Sequence, residues 1–199
     1  DDIHRSVASR TWGVATSEVT TELRNRAKMV AYGLAYGMEA YGLAQRLDVS
    51  TDEASGILEA YFEAFPGVRD YMDRSVDEAR QRGYTETLFG RRRPIPELTS
   101  NNFNVRQAGE RQAMNAPIQG LAADIFKVAL VGIDHGLSAA GLASRLVLQV
   151  HDEVLLEVEA TELDQVTELV RVTMGGAFDL RVELAVDLAT GSTWADAKG

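Results

Sequence analysis

Leu146-Val-Leu-Gln-Val150 and Val154-Leu-Leu-Glu-Val158 stand three residues apart. No other feature of the chain constrains its fold as tightly. Both runs have the length and the β-branched content of strands. The link between them, His151-Asp152-Glu153, is far too short for the crossover that parallel strands require. It predicts an antiparallel hairpin with charged residues at its tip. Arg181 to Leu188 places Val182, Leu184, Val186 and Leu188 on one side and reads as a third strand. Thr161 to Met174 reads as a helix between them.

Upstream the period is helical. Residues 18–31 form a helix with Thr20 or Thr21 as its cap, and Leu34 and Tyr36 carry the pattern past Gly33. The residues before it, Asp1 and Asp2, read as a loop-like lead-in to His4. Ser50-Thr-Asp-Glu53 is a capping box that opens an amphipathic helix bearing Ile57, Leu58, Tyr61, Phe62 and Phe65. Phe65-Pro66-Gly67 ends it, and a further helix from Val68 to Arg82 turns Tyr71, Met72, Val76 and Ala79 inward and stops at Gly83. Tyr84 to Leu88, Phe89-Gly90 and the arginines from Arg91 onward read as a short hairpin. A long helix fills about Val105 to Gly136, bent at Pro117, where the ring removes a backbone donor. A helical first half followed by a mixed, antiparallel last third makes the chain α+β.

The chain has 199 residues, enough for one domain or two small lobes, and at 45% hydrophobic content it can build a core. It has no cysteine, so neither a disulfide framework nor a thiolate metal site is available. No run approaches 18 apolar residues, and Asp-Asp-Ile-His-Arg is not a signal peptide; the expectation is a soluble cytoplasmic protein with no membrane partner. A net charge of −10 argues against a simple nucleic-acid binder. Its distribution qualifies that. Residues 128–199 carry 4 basic and 12 acidic side chains, whereas residues 80–111 carry seven arginines against three glutamates. A basic surface inside an acidic protein fits a localised polyanion channel, and equally an ordinary charged surface.

Three constellations carry chemistry. Arg24, Lys28, Tyr32 and Tyr36 are spaced four apart, so on a helix they stack along one face as cation, cation, ring, ring. That order can grip a nucleoside triphosphate lengthwise, cations on phosphates and the first ring on sugar and base. A solvated charged face with two half-buried tyrosines has the same pattern. Asp152 and Glu153 at a hairpin tip suit a divalent cation such as Mg²⁺, which takes carboxylate and phosphate oxygens and keeps its waters; a solvated turn is the alternative. Arg111, Asn115 and Gln119 are again four apart, and such a stripe can hydrogen-bond phosphates, sugars and the minor-groove acceptors of base pairs. It also fits a plain polar helix face.

The residues that carry these patterns resemble the motifs of family A DNA polymerases, in the family's order. Arg24…Lys28…Tyr32-Gly33…Tyr36-Gly37 resembles the nucleotide-binding fingers motif, and Tyr84-Thr-Glu-Thr-Leu-Phe-Gly-Arg-Arg-Arg93 the family's hairpin. Arg111…Asn115-Ala-Pro-Ile-Gln119 resembles its minor-groove helix, and Gln149-Val-His151-Asp152-Glu153 the palm motif with a catalytic carboxylate. The similarity runs from Asp2 to Trp194. It implies helical fingers at 1–105 and a palm at 106–199, with an antiparallel sheet and packed helices.

The resemblance implies roles as well. His4, Arg24 and Lys28 would contact the triphosphate, Lys28 also assisting the departing pyrophosphate. Tyr32 would pack on the sugar, and a Tyr there relaxes discrimination against a missing 3′-hydroxyl; Tyr36 would sit beside the templating base. Arg106, Arg111, Asn115, Gln119 and His151 would face the primer-terminal duplex. Asp152 would hold catalytic metal, with Glu153 a weaker neighbour. The implied cofactor is a pair of Mg²⁺ ions, and the partners are primer–template DNA and deoxynucleoside triphosphates, bound by a monomeric, nucleoid-associated enzyme of replication and repair. One departure matters: the family's first catalytic aspartate, on an Asp-Tyr-Ser-Gln type strand, has no match here. The expectation is an inactive fragment of a longer enzyme. A related polymerase that makes RNA or copies lesions, and a non-catalytic duplex clamp built on the Arg111 helix, are the competing readings.

Overall fold

The computed structural model describes residues 2–35 and 37–198, so Tyr36 lies outside the described residues. The chain divides into two compact units, Asp1–Gly120 and Leu121–Gly199.

The first unit opens with α1 (Ile3–Trp12), α2 (Thr21–Ala35), α3 (Ala40–Leu47), α4 (Thr51–Ala64) and α5 (Pro66–Arg82). Local signals set most of these ends. The Thr20 hydroxyl accepts the Leu23 amide at 3.1 Å at the start of α2, and the Ser50 hydroxyl accepts the Glu53 amide at 3.1 Å at the start of α4. Pro66 occupies the first turn of α5, where its missing donor costs nothing, so that helix begins two residues earlier than its pattern suggests. Gly83 ends it by donating to the Ala79 carbonyl. Val30, Leu43, Leu47, Ile57 and Tyr61 are buried in one core shared by α1 to α4.

Helix α1 corrects the expectation of a loop-like lead-in. Asp2 is its cap, and His4 sits in its first turn. Only Val7, Ala8 and Thr11 of α1 are buried, so its sequence shows little amphipathic pattern; packing against α2 and α4 holds it. After α5 comes a small hairpin of β1 (Tyr84–Glu86) and β2 (Arg92–Pro94), antiparallel with Thr85 opposite Arg93. A second, smaller core of Ala79, Ile95, Leu98 and Ala113 lies where α5 and the residues after the hairpin meet the long helix α6 (Phe103–Ala139).

Helix α6 runs unbroken through Pro117, and the boundary between the compact units falls inside it. By length and composition alone it is long and apolar enough to cross a membrane, which corrects the expectation that no segment is. Its Ala113, Ala129, Ile133 and Leu137 are nevertheless buried in protein, and it also carries Arg111, Lys127 and Asp134, which hydrocarbon would penalise.

The second unit contains the end of α6, the hairpin of β3 (Arg145–Val150) and β4 (Glu153–Glu157), then α7 (Leu163–Gly175) and α8 (Trp194–Lys198). Ile133, Leu137, Val166 and Val170 form its core, with Leu146, Val154 and Leu156 of the hairpin packed on it. The register runs Arg145↔Glu157 and Leu146↔Leu156, then Leu148↔Leu155, so Val147 is the extra residue of a bulge. The third strand did not form: among the described residues 181–188 pair with nothing as a ladder. Alternation supplies the faces of a strand, but a strand exists only with a hydrogen-bonded neighbour. Leu184 and Val186 are half-buried, while Val182 is exposed.

Glu162 fastens the entry to this hairpin. Its carboxylate accepts the Ala143 amide at 3.0 Å, the Ser144 amide at 2.9 Å and the Ser144 hydroxyl at 2.5 Å. The Ser144 hydroxyl first, then the two amides, hold the Glu162 carboxyl below the usual range. A carboxylate with a lowered folded-state pKa stabilises above its ordinary pKa and loses that contribution as pH falls through the folded value. Glu162→Gln is therefore expected to lower the thermal midpoint of the chain by about 2–4 °C at pH 7. The gap between the two proteins should close on acidification below the ordinary carboxylate range. Calorimetry across that range checks it, and a gap that widens in acid would contradict the assignment.

Candidate functional site

Helix α2 presents Arg24, Lys28 and Tyr32 on one face, and the fold adds His4 from α1. The His4 and Tyr32 rings lie 5.6 Å apart, tilted at 60°. The Lys28 ammonium sits 5.8 Å from the Tyr32 ring centroid, within cation–π range. Tyr32 is 50% exposed, far more than a core tyrosine, so its ring is available to a ligand. Lys28 is exposed, and Arg24 is half-buried and donates its Nε–H to Asp2 at 2.5 Å. The His4 Nδ1 is buried without a hydrogen-bond partner, a cost the fold tolerates at this cluster. Two cations and two rings thus line one patch of the first unit.

The turn that follows α2 bears on α6 within the same unit. Gly37 has a positive φ of 68°, and a Cβ built there would lie 2.7 Å from the Arg111 Cγ and 3.0 Å from the Arg111 Cα. One turn earlier on α6, the Gln107 Nε2 donates to both oxygens of Glu39, at 2.7 and 2.9 Å. Gln107, Arg111, Asn115 and Gln119 therefore continue one stripe, whose first member is a structural tie. Arg106 stands apart from it: five residues from Arg111 is a rotation of about 140°. Its guanidinium donates to the Ser100 carbonyl at 3.0 Å and lies over the Phe103 ring.

The arginine-rich stretch is less basic than its count suggests. Arg80 pairs with Glu110 at 2.6 Å and with Asp77 at 3.3 Å, Arg82 with Glu78 at 3.4 Å, and Arg92 with Glu86 at 2.5 Å. Asp77 and Glu78 lie outside the 80–111 window, one helical turn before their partners, so the local excess of charge was partly an effect of where the window began. Arg93 donates to the Gln112 side chain at 3.1 Å, and with Arg91 it borders a cavity of about 290 Å³ that Gln119 also lines.

In the second unit the hairpin tip is a two-residue loop, His151-Asp152, since Glu153 already pairs with Val150. His151 has φ 54°, the left-handed conformation that two-residue hairpins demand and that glycine usually supplies. The Gln149 side chain donates to the His151 carbonyl at 2.7 Å and holds the turn. Asp152 is exposed at the tip. Glu153 is engaged elsewhere, 3.0 Å from the Lys198 ammonium. Among the described residues no three His, Cys, Asp or Glu side chains gather as a ready metal cage.

Asp2, Gln107 and Gln149 have structural tasks that the sequence alone did not assign, although each left a signal. Asp2 immediately precedes a helix start, the usual place of a capping carboxylate. Gln107 is one further step of four along the Arg111 stripe, and Gln149 precedes a turn that contains no glycine.

The model of DNA polymerase family A matches residues 1–196. The chain is 55% identical over 194 residues to DNA polymerase I of Mycobacterium tuberculosis strain H37Rv, covering 98% of this chain and 22% of that protein. It is 50% identical over 197 residues to DNA polymerase I of Bacillus caldotenax, covering 99% of this chain and 22% of that one. Among solved structures, the POL domain of Pol1 from M. smegmatis in complex with DNA primer-template and dNTP superimposes with a TM-score of 0.97 at 53% identity, over 100% of this chain and 35% of that chain. The chain thus spans about a fifth of the length of the curated relatives it matches. On the family model and on these relatives alike, the chain belongs to DNA polymerase family A.

Proposed function

We propose that this chain supplies the nucleotide-binding face and one catalytic carboxylate of a bacterial enzyme that extends a DNA primer on a template. The observation that carries the proposal is the His4, Arg24, Lys28 and Tyr32 cluster. Two cations and two rings meet on an exposed patch, the chemistry of a triphosphate joined to a sugar and base. Membership of the family and the M. smegmatis neighbour's DNA and dNTP support the same substrates. In this reading 1–105 is the fingers and 106–199 the palm. The enzyme works as a cytoplasmic, nucleoid-associated monomer in replication and repair.

Each side chain then has a task. Arg24 and Lys28 neutralise the phosphates, and Lys28, exposed, can give a proton to the departing pyrophosphate. Tyr32 packs on the sugar, and the place beside the templating base that the family resemblance gives Tyr36 falls outside the described residues. Arg111, Asn115 and Gln119 hydrogen-bond the minor-groove edge of the primer-terminal pair. Its acceptors differ little between base pairs, so the stripe tests pairing shape without reading sequence. Arg106 and His151 are assigned to the duplex as well.

Asp152 fits a hard divalent cation as a single oxygen ligand, because its carboxylate is exposed on a fixed turn, while Glu153 faces Lys198 and stays outside the ligand set. When bound, a pair of Mg²⁺ ions lowers the pKa of the primer 3′-hydroxyl and stabilises the leaving pyrophosphate.

Lys28→Ala in the full-length polymerase tests the reading. A charge-assisted contact to phosphate is worth about 1.5–3 kcal/mol, so incorporation should fall at least about tenfold while duplex affinity holds. Rapid-quench incorporation and a binding titration on the same DNA measure the two. Loss of duplex affinity with unchanged incorporation would favour the duplex-clamp reading.

A further inference from the structure

Asp2 does two things with one carboxylate. Its Oδ1 accepts the amides of His4 at 3.0 Å and Arg5 at 3.2 Å, which caps α1. Its Oδ2 accepts the Nε–H of Arg24, 22 residues away, at 2.5 Å. A second tie lies beside it: Arg5 Nη1 donates to the Val19 carbonyl at 3.0 Å, on the approach to α2. One side chain therefore sets both the first turn that carries His4 and the direction of the Arg24 guanidinium.

The geometry leaves Arg24 useful. A guanidinium has five N–H donors in a planar fork. Asp2 engages the Nε side, and the terminal nitrogens point along the rest of the fork, where phosphate oxygens can be met. An arginine held by one edge has already lost rotamer freedom that it would otherwise lose on binding. Resting on the reading of α2 as a triphosphate face, we infer that Asp2 is a positioning residue for nucleotide binding: it aims Arg24, and through the α1 cap it seats His4 against Tyr32.

A carboxylate beside a triphosphate also repels it, and that gives the inference a rival of opposite sign. If Asp2 only competes with phosphate for Arg24, removing its charge tightens nucleotide binding. If it positions Arg24, removing its charge weakens binding. The pair is only about one-third exposed on each side, so solvent screens it incompletely and the orientation persists. The Arg24 hydrogen bond, ahead of the backbone amides, holds the Asp2 carboxyl below the ordinary carboxylate range. Asp2 is thus ionised at every pH above that range and adds no titration step near neutrality.

Asp2→Asn in the full-length polymerase separates these. Asparagine caps a helix as well as aspartate does, so α1 is kept, while the charge and the acceptor that faces the Arg24 Nε–H are both lost. The KM for the incoming nucleotide should rise about tenfold with kcat little changed, the mark of lost ground-state binding. Primer–template affinity should stay constant, and Asp2 itself should add no step to the KM ratio at any pH above the ordinary carboxylate range. In an Arg24→Ala background Asp2→Asn should add less than about twofold, because Asp2 acts through Arg24. An unchanged or lower KM, or a full effect without Arg24, overturns the inference. If Lys28→Ala and Arg24→Ala weaken incorporation as expected while Asp2→Asn does not, only the role of Asp2 falls; if none of the three matters, the triphosphate reading itself falls.

Discussion

Asp152→Asn in the full-length polymerase is expected to reduce single-turnover incorporation to below about a tenth of the parent rate, a barrier increase above about 1.4 kcal/mol. Asparagine has nearly the shape of aspartate, so the two-residue turn should survive. That turn depends on the positive φ of His151 and on the Gln149 side chain, and neither involves the Asp152 carboxylate. What is lost is one negative charge and its capacity to hold a hard cation. Primer–template affinity should be unchanged or improved, because a negative charge beside DNA phosphates only repels them. Glu153→Gln should be milder, since its carboxylate already answers Lys198 on the surface and the residue belongs to the strand pair rather than to the turn at the tip. Incorporation measured across a Mg²⁺ titration, with duplex affinity measured in parallel, decides the matter. An Asp152→Asn enzyme that keeps more than a tenth of the rate would leave the tip as an ordinary solvated turn.

Gly37→Ala should be nearly as damaging, for a reason of packing. Two costs coincide there. The positive φ of 68° charges any L side chain about 1–2 kcal/mol. The added Cβ would also lie 2.7 Å from the Arg111 Cγ and 3.0 Å from its Cα, and a backbone atom cannot swing aside. Overpacking of that kind costs about 1–3 kcal/mol more. The relief is to push Arg111 on α6 away from the turn that follows α2. Incorporation and primer–template affinity should therefore each fall at least about tenfold. Gly13→Ala is the control: Gly13 has φ 65°, but nothing lies within 4 Å of its added Cβ, so it bears the backbone cost alone. Equal consequences for the two variants would show that the contact with Arg111 is immaterial.

Both predictions concern residues whose character was legible before any coordinates and whose surroundings were not. The β3–β4 hairpin, the Thr20 and Ser50 caps, the stop at Gly83 and the run of α6 through Pro117 could be read from the chain because each depends on neighbours within a few positions. The same holds for the stripes: a spacing of four places Arg24, Lys28 and Tyr32 on one face wherever the helix goes.

Local pattern failed where partners are distant. Alternation at 181–188 describes two faces but names no hydrogen-bonded neighbour, and no ladder formed. Helix α1 shows little amphipathic pattern, so its helicity comes from what packs on it. The charge of the arginine-rich stretch was counted inside a window that excluded Asp77 and Glu78. The sequence by itself determined the hairpin, the long helix and the order of groups along α2, since backbone geometry alone dictates those. Tertiary structure decided that His4 meets Tyr32, that Asp2 holds Arg24 and that Gly37 bears on Arg111. Residues separated by 22 positions or more converge only through the burial of a shared core, which no single segment of the chain encodes.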